Sequence, residues 1–281
     1  MKVKREQFYG CNFHYTRHPL SYFIDSMNRF DVHKIEFYAA SPHMYVDDYT
    51  PGEAREIRRQ LDRGNLEVMI ITAEQCLYPV SMAVEDPFAR ERSMRYYERA
   101  LEQGYELGAK ALQIMGGFAS YEEMEEGNYK SRVMDGLFRV CTYAQRLGMK
   151  VILESDVTST VRDGAAIKET ILELGMPNLT GMIDFGASWK VEDFEETVKL
   201  LGEHLYHIHC NDVKGTEYCR VIGTGDIPVK EWFSILDKYN YQGGITPELW
   251  GFTYTGCADE AYEQGLRFFE SYLKESGQWQ G

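Results

Sequence analysis

The sequence has no Cys-x-x-Cys pair, no glycine-rich phosphate loop, no long run of Lys or Arg, and no apolar stretch near the ~18 residues a membrane span requires. Each absence removes a class of function. Six cysteines at positions 11, 76, 141, 210, 219 and 257 are scattered, so they read as reduced, mostly buried small hydrophobes rather than a disulfide framework or a thiolate metal cage. Basic residues are too few to balance the acidic ones. Thirty Lys and Arg face 44 Asp and Glu, for a formal net charge of −14. Such a surface repels phosphate backbones and anionic membranes, and neither nucleic acid nor membrane is expected as a partner. The opening Met-Lys-Val-Lys-Arg-Glu-Gln is charged with no apolar segment behind it. It does not read as a secretory signal, and the expected location is the cytoplasm.

What is present is an alternation. Short apolar runs recur at roughly 30-residue intervals, separated by longer amphipathic stretches, the pattern of βαβ units around a parallel sheet. Eight candidate strands are Phe8–Asn12, Lys34–Tyr38, Leu66–Thr72, Ala111–Met115, Val151–Glu154, Gly181–Asp184, Leu205–Cys210 and Gly244–Glu248. Helical spacing of apolar residues marks Pro19–Arg29, Arg90–Leu107, Val133–Leu147, Val161–Leu174, Val191–Leu201, Val229–Tyr239 and Ala258–Leu273. A further helix opens at Thr50-Pro51-Gly52-Glu53, with a hydroxyl N-cap, Pro at N1 and Glu at N3. Gly108, Gly148, Gly175 and Gly202 stand close behind helices as expected stops. A doubly wound open sheet would call for a glycine-rich turn after the first strand, and Tyr9-Gly10-Cys11-Asn12-Phe13-His14 offers none. The expected fold is an α/β protein, one (β/α)8 TIM barrel domain over residues 1–281.

Barrel enzymes carry their chemistry at the C-terminal ends of the strands. Here the fifth strand ends in Glu154, the sixth in Asp184 and the eighth in Glu248, while the seventh reads His207-Ile208-His209. Taken singly, each has a structural explanation: a loop carboxylate paired with a nearby Arg, or a hydrogen-bonded core His. Four on consecutive strand ends are different, because neighbouring strands lie about 4.8 Å apart and the end residues converge on one small volume. Three carboxylates there repel one another unless a cation is present. Glu154, Asp184, His209 and Glu248 therefore form the candidate metal site, and the oxygen-rich set with one imidazole suits Mn²⁺ best, with Mg²⁺, Co²⁺ or Zn²⁺ as alternatives. Period-2 alternation puts His207 on the same face one layer deeper, placed to fill the barrel or to steady a ligand.

The run of Leu153-Glu154, Met182-Ile183-Asp184, His207-Ile208-His209-Cys210-Asn211-Asp212, Gly223-Thr224-Gly225 and Pro247-Glu248-Leu249 resembles the sugar isomerase/epimerase superfamily of xylose-isomerase-like barrels. Within it the chain is most similar to the fructoselysine 3-epimerase and ketose 3-epimerase group. That likeness extends to Lys34-Ile35-Glu36-Phe37-Tyr38, Ser41-Pro42-His43, Thr72-Ala73-Glu74-Gln75 and Tyr78-Pro79, covering nearly the whole chain. The resemblance implies a divalent ion that chelates the carbonyl and a neighbouring hydroxyl of a ketose. It implies that one of Glu154 and Glu248 removes the C3 proton to leave a cis-enediolate, and that the other returns a proton from the opposite face. Two carboxylates on non-adjacent strands suit inversion at one carbon, whereas one acting alone would move a proton between carbons.

His43, Glu74, His207 and Arg220 are the candidate substrate contacts: the first two follow the second and third strands, and Arg220 precedes the Gly223-x-Gly225 loop, which the two glycines allow to lie close to a ligand. Trp189 and Trp250, just past Asp184 and Glu248, are candidate walls for the apolar faces of a sugar. Two positions depart from the ketose 3-epimerases, which carry a His three residues after the Asp ligand and a Glu six residues after the first Glu ligand. Here those positions are Ala187 and Thr160. The fructoselysine group also lacks the His but keeps the Glu, so the substrate expected here is a modified or conjugated sugar.

The alternative activity is a lyase of the same fold, resembling inosose dehydratases or C-glycoside deglycosidases, which expels a leaving group after the same proton abstraction. A homo-oligomer is expected in either case, with a small partner subunit for the lyase. A non-catalytic sugar-binding barrel is disfavoured by retention of all four ligand types. Nucleic-acid repair, known on related barrels, needs a histidine-rich zinc cluster that seven scattered histidines do not supply.

Overall fold

A computed structural model describes residues 2–76 and 80–279, so the Tyr78-Pro79 part of the family likeness lies outside the described residues. Eight strands follow one another around a single sheet: β1 (Gly10–Cys11), β2 (Lys34–Ala39), β3 (Glu67–Ala73), β4 (Ala111–Met115), β5 (Lys150–Glu154), β6 (Leu179–Asp184), β7 (Leu205–Cys210) and β10 (Gly244–Pro247), every adjacent pair parallel. The ring closes where Tyr9 N–H donates to the Ile245 carbonyl at 2.9 Å and Phe8 bridges to Ile245. A β-hairpin of β8 (Asp212–Lys214) and β9 (Glu217–Arg220) stands outside the ring.

The helices α1 (Leu20–Arg29), α2 (Pro51–Arg63), α3 (Pro87–Leu107), α4 (Tyr121–Glu126), α5 (Lys130–Arg146), α6 (Gly164–Leu174), α7 (Phe185–Ser188), α8 (Phe194–Leu201), α9 (Val229–Lys238) and α10 (Ala258–Glu275) fill the connections. The expected cap of α2 forms in full, with Thr50 Oγ1 accepting from Glu53 N–H at 3.3 Å and Glu53 accepting from Thr50 N–H at 2.7 Å. Four helices, α3, α5, α6 and α8, begin three residues away from where apolar spacing alone puts them, and in all but α5 an aspartate fixes the start. Asp86 accepts from Ala89 N–H before α3, Asp163 from Ala166 N–H before α6, and Asp193 from Glu196 N–H before α8, at 2.7, 2.8 and 3.0 Å. Such a cap satisfies amide donors that the first helical turn leaves without partners. Gly108 and Gly175 end α3 and α6 in the left-handed conformation, φ +82° and +64°.

Most of the core lies between strands and helices, in an apolar cluster that includes Ile35, Phe37, Ile71, Leu112, Ile114, Val151, Leu153, Ile183, Ile208 and Ile245. The alternate strand residues point into the barrel. Ile70, Ala111, Ile152 and Met182 form an apolar inner layer. One residue pair further along, the inward side chains become polar. The register sets Asp184 and Thr246 on either side of His209, and Met115 beside Glu154. Among the described residues no helix is long and apolar enough to cross a membrane.

Candidate metal centre

The inward-facing polar residues stack in two levels around His209. On the deeper level, Glu36 of β2 is completely buried and accepts from both histidines of β7, with His207 Nε2 at 2.9 Å and His209 Nε2 at 3.0 Å. Thr72 Oγ1 donates to the same carboxylate. Burial opposes charge on Glu36, yet the two imidazoles hold its carboxyl well below the usual range. The Tyr9 ring lies over His207, centroids 5.9 Å apart. Glu36, His207, Thr72 and Tyr9 are all buried.

On the upper level, His209 Nδ1 stands 3.2 Å from Glu154 Oε1 and 3.7 Å from Glu248 Oε1. Ligand atoms of Glu154, Asp184 and His209 all lie within 4.8 Å of one another. Asn211 Nδ2 ties the remaining carboxylates, donating to Asp184 Oδ2 at 2.7 Å and Glu248 Oε2 at 3.1 Å. Asp184 Oδ1 also caps α7 by accepting from Ala187 N–H at 2.6 Å. Gln113 donates to Glu154 and is itself held by Gln75 Nε2 at 3.0 Å.

Burial raises the pKa of Glu154, Asp184 and Glu248; His209 opposes that rise, and the neighbouring carboxylates add to it for Glu154 and Glu248. Burial opposes charge on His209 too, but Glu36 and Glu248 hold it well above the ordinary imidazole value. Such a set keeps protons that a divalent cation would replace. His209 has one nitrogen committed to Glu36, which leaves Nδ1 as the donor facing the carboxylates. The residues therefore fit a divalent ion. Ligand atoms of Glu36, His207 and His209 also lie within 4.8 Å of one another, but direct hydrogen bonds occupy them, and they read as support for the outer set.

Glu154, Asp184 and Glu248 open into a cleft of about 490 Å³ that is also lined by Cys76, Met115, Ala187, Trp189, Tyr218, Cys219 and Trp250. The other predicted contacts fall elsewhere. Both ring nitrogens of His43 face protein partners, Asn12 Nδ2 at 2.8 Å and the His18 carbonyl at 2.9 Å. Glu74 is buried, accepting from Tyr38 Oη and from Cys76 N–H. His207 reaches Glu36 instead of a carboxylate of the outer set. Arg220 pairs with Glu217 inside the hairpin, while its neighbours Tyr218 and Cys219 line the cleft. Thr160 is buried, and a Cβ on Gly116 would lie 2.6 Å from its hydroxyl.

The Gly223-x-Gly225 loop turns its amides to Asp212, not to the cleft. Asp212 Oδ2 accepts from Gly223 and Gly225 N–H at 2.9 and 2.8 Å, and Oδ1 accepts from Val213 and Ile227 N–H at 2.9 and 3.1 Å. A Cβ on Gly225 would sit 2.3 Å from Asp212 Oδ1, so glycine is required by that carboxylate. Glu36, Gln113, Asn211 and Asp212 were not assigned roles from sequence. Their one signal is a charged or amide side chain set in or beside an otherwise apolar strand.

The family described as xylose isomerase-like TIM barrel matches residues 25–272. A fructoselysine 3-epimerase of Escherichia coli O157:H7 is 24% identical over 84% of this chain and 87% of its own. A putative L-ribulose-5-phosphate 3-epimerase of Haemophilus influenzae is 25% identical over 59% of this chain and 60% of its own. Among solved structures, a D-psicose 3-epimerase of Clostridium cellulolyticum H10, determined with D-tagatose, superposes with a TM-score of 0.75 at 14% identity, covering 95% of this chain and 98% of that one.

Proposed function

The chain belongs to the xylose isomerase-like TIM barrel family, and we propose that within it this protein is a divalent-metal-dependent carbohydrate epimerase that inverts C3 of a ketose or ketose conjugate. The observation that carries the reading is His209 Nδ1 within reach of both Glu154 and Glu248, two carboxylates that line an open cleft. The 3-epimerase relatives support the reaction class.

Glu154, Asp184, His209 and Glu248 would hold the ion, with Mn²⁺ the preferred candidate. When bound, a divalent cation polarises a carbonyl and stabilises negative charge that develops on its oxygen. The chain supplies the proton transfers. Glu154 and Glu248 flank the position a planar intermediate would take, so one removes the C3 proton and the other returns a proton from the opposite face. Gln113 and Asn211 orient these carboxylates through the hydrogen bonds given above. Glu36 holds the proton on His209 Nε2 and so keeps Nδ1 free as a donor atom.

None of the described residues lining the cleft is Lys or Arg, and a cation beside that lining, Lys190, has its Nζ 5.5 Å from the Trp189 ring centre. That lining favours an unphosphorylated sugar. Incubation with Mn²⁺ in D₂O, followed by NMR, should exchange the C3 proton of at least one of D-fructose, D-psicose, D-tagatose and fructoselysine. If none of the four exchanges, the epimerase reading fails. Ala187, which places a methyl group where ketose 3-epimerases carry a histidine, favours a second reading, a lyase acting on a keto-sugar. Release of the aglycone from an oxidised C-glycoside would identify it.

A further inference from the structure

The cleft changes character away from His209. At its floor are the carboxylates. Its wall is mostly apolar, with Val157 from the loop after β5, Trp189 and Val191 after α7, Tyr218 on β9 and Trp250 after β10, and with Ser155, Asp156 and Thr158 as a polar stretch around Val157. Val157, Val191 and Tyr218 expose 39%, 51% and 64% of their surface, so three large hydrophobic side chains stand uncovered around one opening. An uncovered apolar patch joined to a polar site marks a surface that a ligand covers. A bare hexose placed with its hydroxyls at the carboxylates would leave most of this wall facing water.

We propose that the mouth of the cleft is a subsite for an uncharged aromatic substituent carried by the sugar. The ring would pack against Tyr218, Val191 and Trp189. A phosphate or carboxylate substituent would meet no lysine or arginine among the described lining residues. An aromatic one covers the apolar wall without burying a charge. The inference rests on the metal-site reading above for one point, namely which end of the cleft takes the sugar.

Isothermal titration calorimetry of the intact protein with Mn²⁺ tests it, comparing D-fructose, fructoselysine, 1-O-benzyl-D-fructose and 6-O-benzyl-D-fructose. The two benzyl sugars place the ring at opposite ends of the ketose. One of them should bind at least about tenfold more tightly than D-fructose and than fructoselysine, as coverage of an aromatic face predicts. Tyr218→Ser and Val191→Thr should each lower that ratio about threefold or more. Both side chains are more than half exposed, so neither substitution threatens the fold. If neither benzyl sugar binds more tightly than D-fructose, or if both variants keep the full ratio, the subsite is overturned. A preserved benzyl preference without C3 exchange on any sugar would keep the subsite and remove the epimerase reading. Exchange on D-fructose without a benzyl preference would do the reverse.

Discussion

The two sides of His209 hold carboxylates in opposite situations. On the inner side Glu36 is sealed from solvent, yet it has two imidazoles and a hydroxyl to satisfy it and remains charged. On the outer side Glu154, Asp184 and Glu248 are crowded together beside a single imidazole, and their pKa values rise. Burial is severe on both sides, so burial alone does not decide the charge. The hydrogen-bond donors that face each carboxylate, with the shared charge of His209, do. The inner level is complete as folded, while the outer level is short of positive charge and open to a cleft that can admit it.

That contrast can be broken most directly at the base. Glu154→Gln should lower kcat about a thousandfold in steady-state assays, the size of a lost general acid–base group, with the circular dichroism spectrum unchanged. A fall below tenfold would move the base elsewhere. On the inner side the loss should appear in stability and metal affinity. Glu36→Ala leaves two buried imidazoles without their shared acceptor and should cost about 3 kcal/mol in urea unfolding. The gentler Glu36→Gln should weaken Mn²⁺ binding about 10- to 100-fold by calorimetry. Unchanged affinity in that variant would dissolve the link between the two levels.

Acidity sharpens the comparison further. Glu154, Asp184, Glu248 and His209 all have raised values in the folded, metal-free protein. A raised folded value contributes stability that is complete below the unfolded value and is lost as pH climbs through the folded one. The metal-free protein should therefore lose stability as pH rises, while Mn²⁺, which displaces those protons, binds better. The gain in Tm on adding Mn²⁺ should grow from about pH 5 to about pH 8, and a flat or falling gain would contradict the charge assignment. The smallest effect has the opposite sign from the Glu36 variants. Without metal, Glu154→Gln relieves repulsion and should raise stability by about 1 kcal/mol in the same urea experiment at pH 8.

Strand order and barrel closure were legible in the sequence because buried parallel strands must be apolar throughout, and eight such runs stand out. The residues at the C-terminal ends of β5, β6, β7 and β10 were legible because a charge that ends an apolar run is conspicuous. Helix starts were less so: Asp86, Asp163 and Asp193 set them through side-chain caps that apolar spacing does not reveal. The hairpin β8–β9 was missed, since three- and four-residue strands leave little periodicity to find. Glu36 was visible as a charge inside a strand, but its role depends on a contact with His209, 173 positions away in the chain. The positions of His43, Glu74 and Arg220 likewise follow from partners that no local pattern announces.

The seam that closes the barrel has a consequence for how the chain is made. β1 is two residues long, and the residues just before it, Phe8 and Tyr9, bridge the seam to Ile245, which is synthesised after all the strands from β1 to β9. Until Ile245 and the Phe269 ring that stacks on Phe8 have emerged, a nascent chain holds β1 to β7 with an unpaired edge on each side. Those edges are templates for pairing with another chain. Vectorial synthesis thus makes the growing barrel most prone to association just before its last strand arrives, and completion of the ring removes both edges in one event.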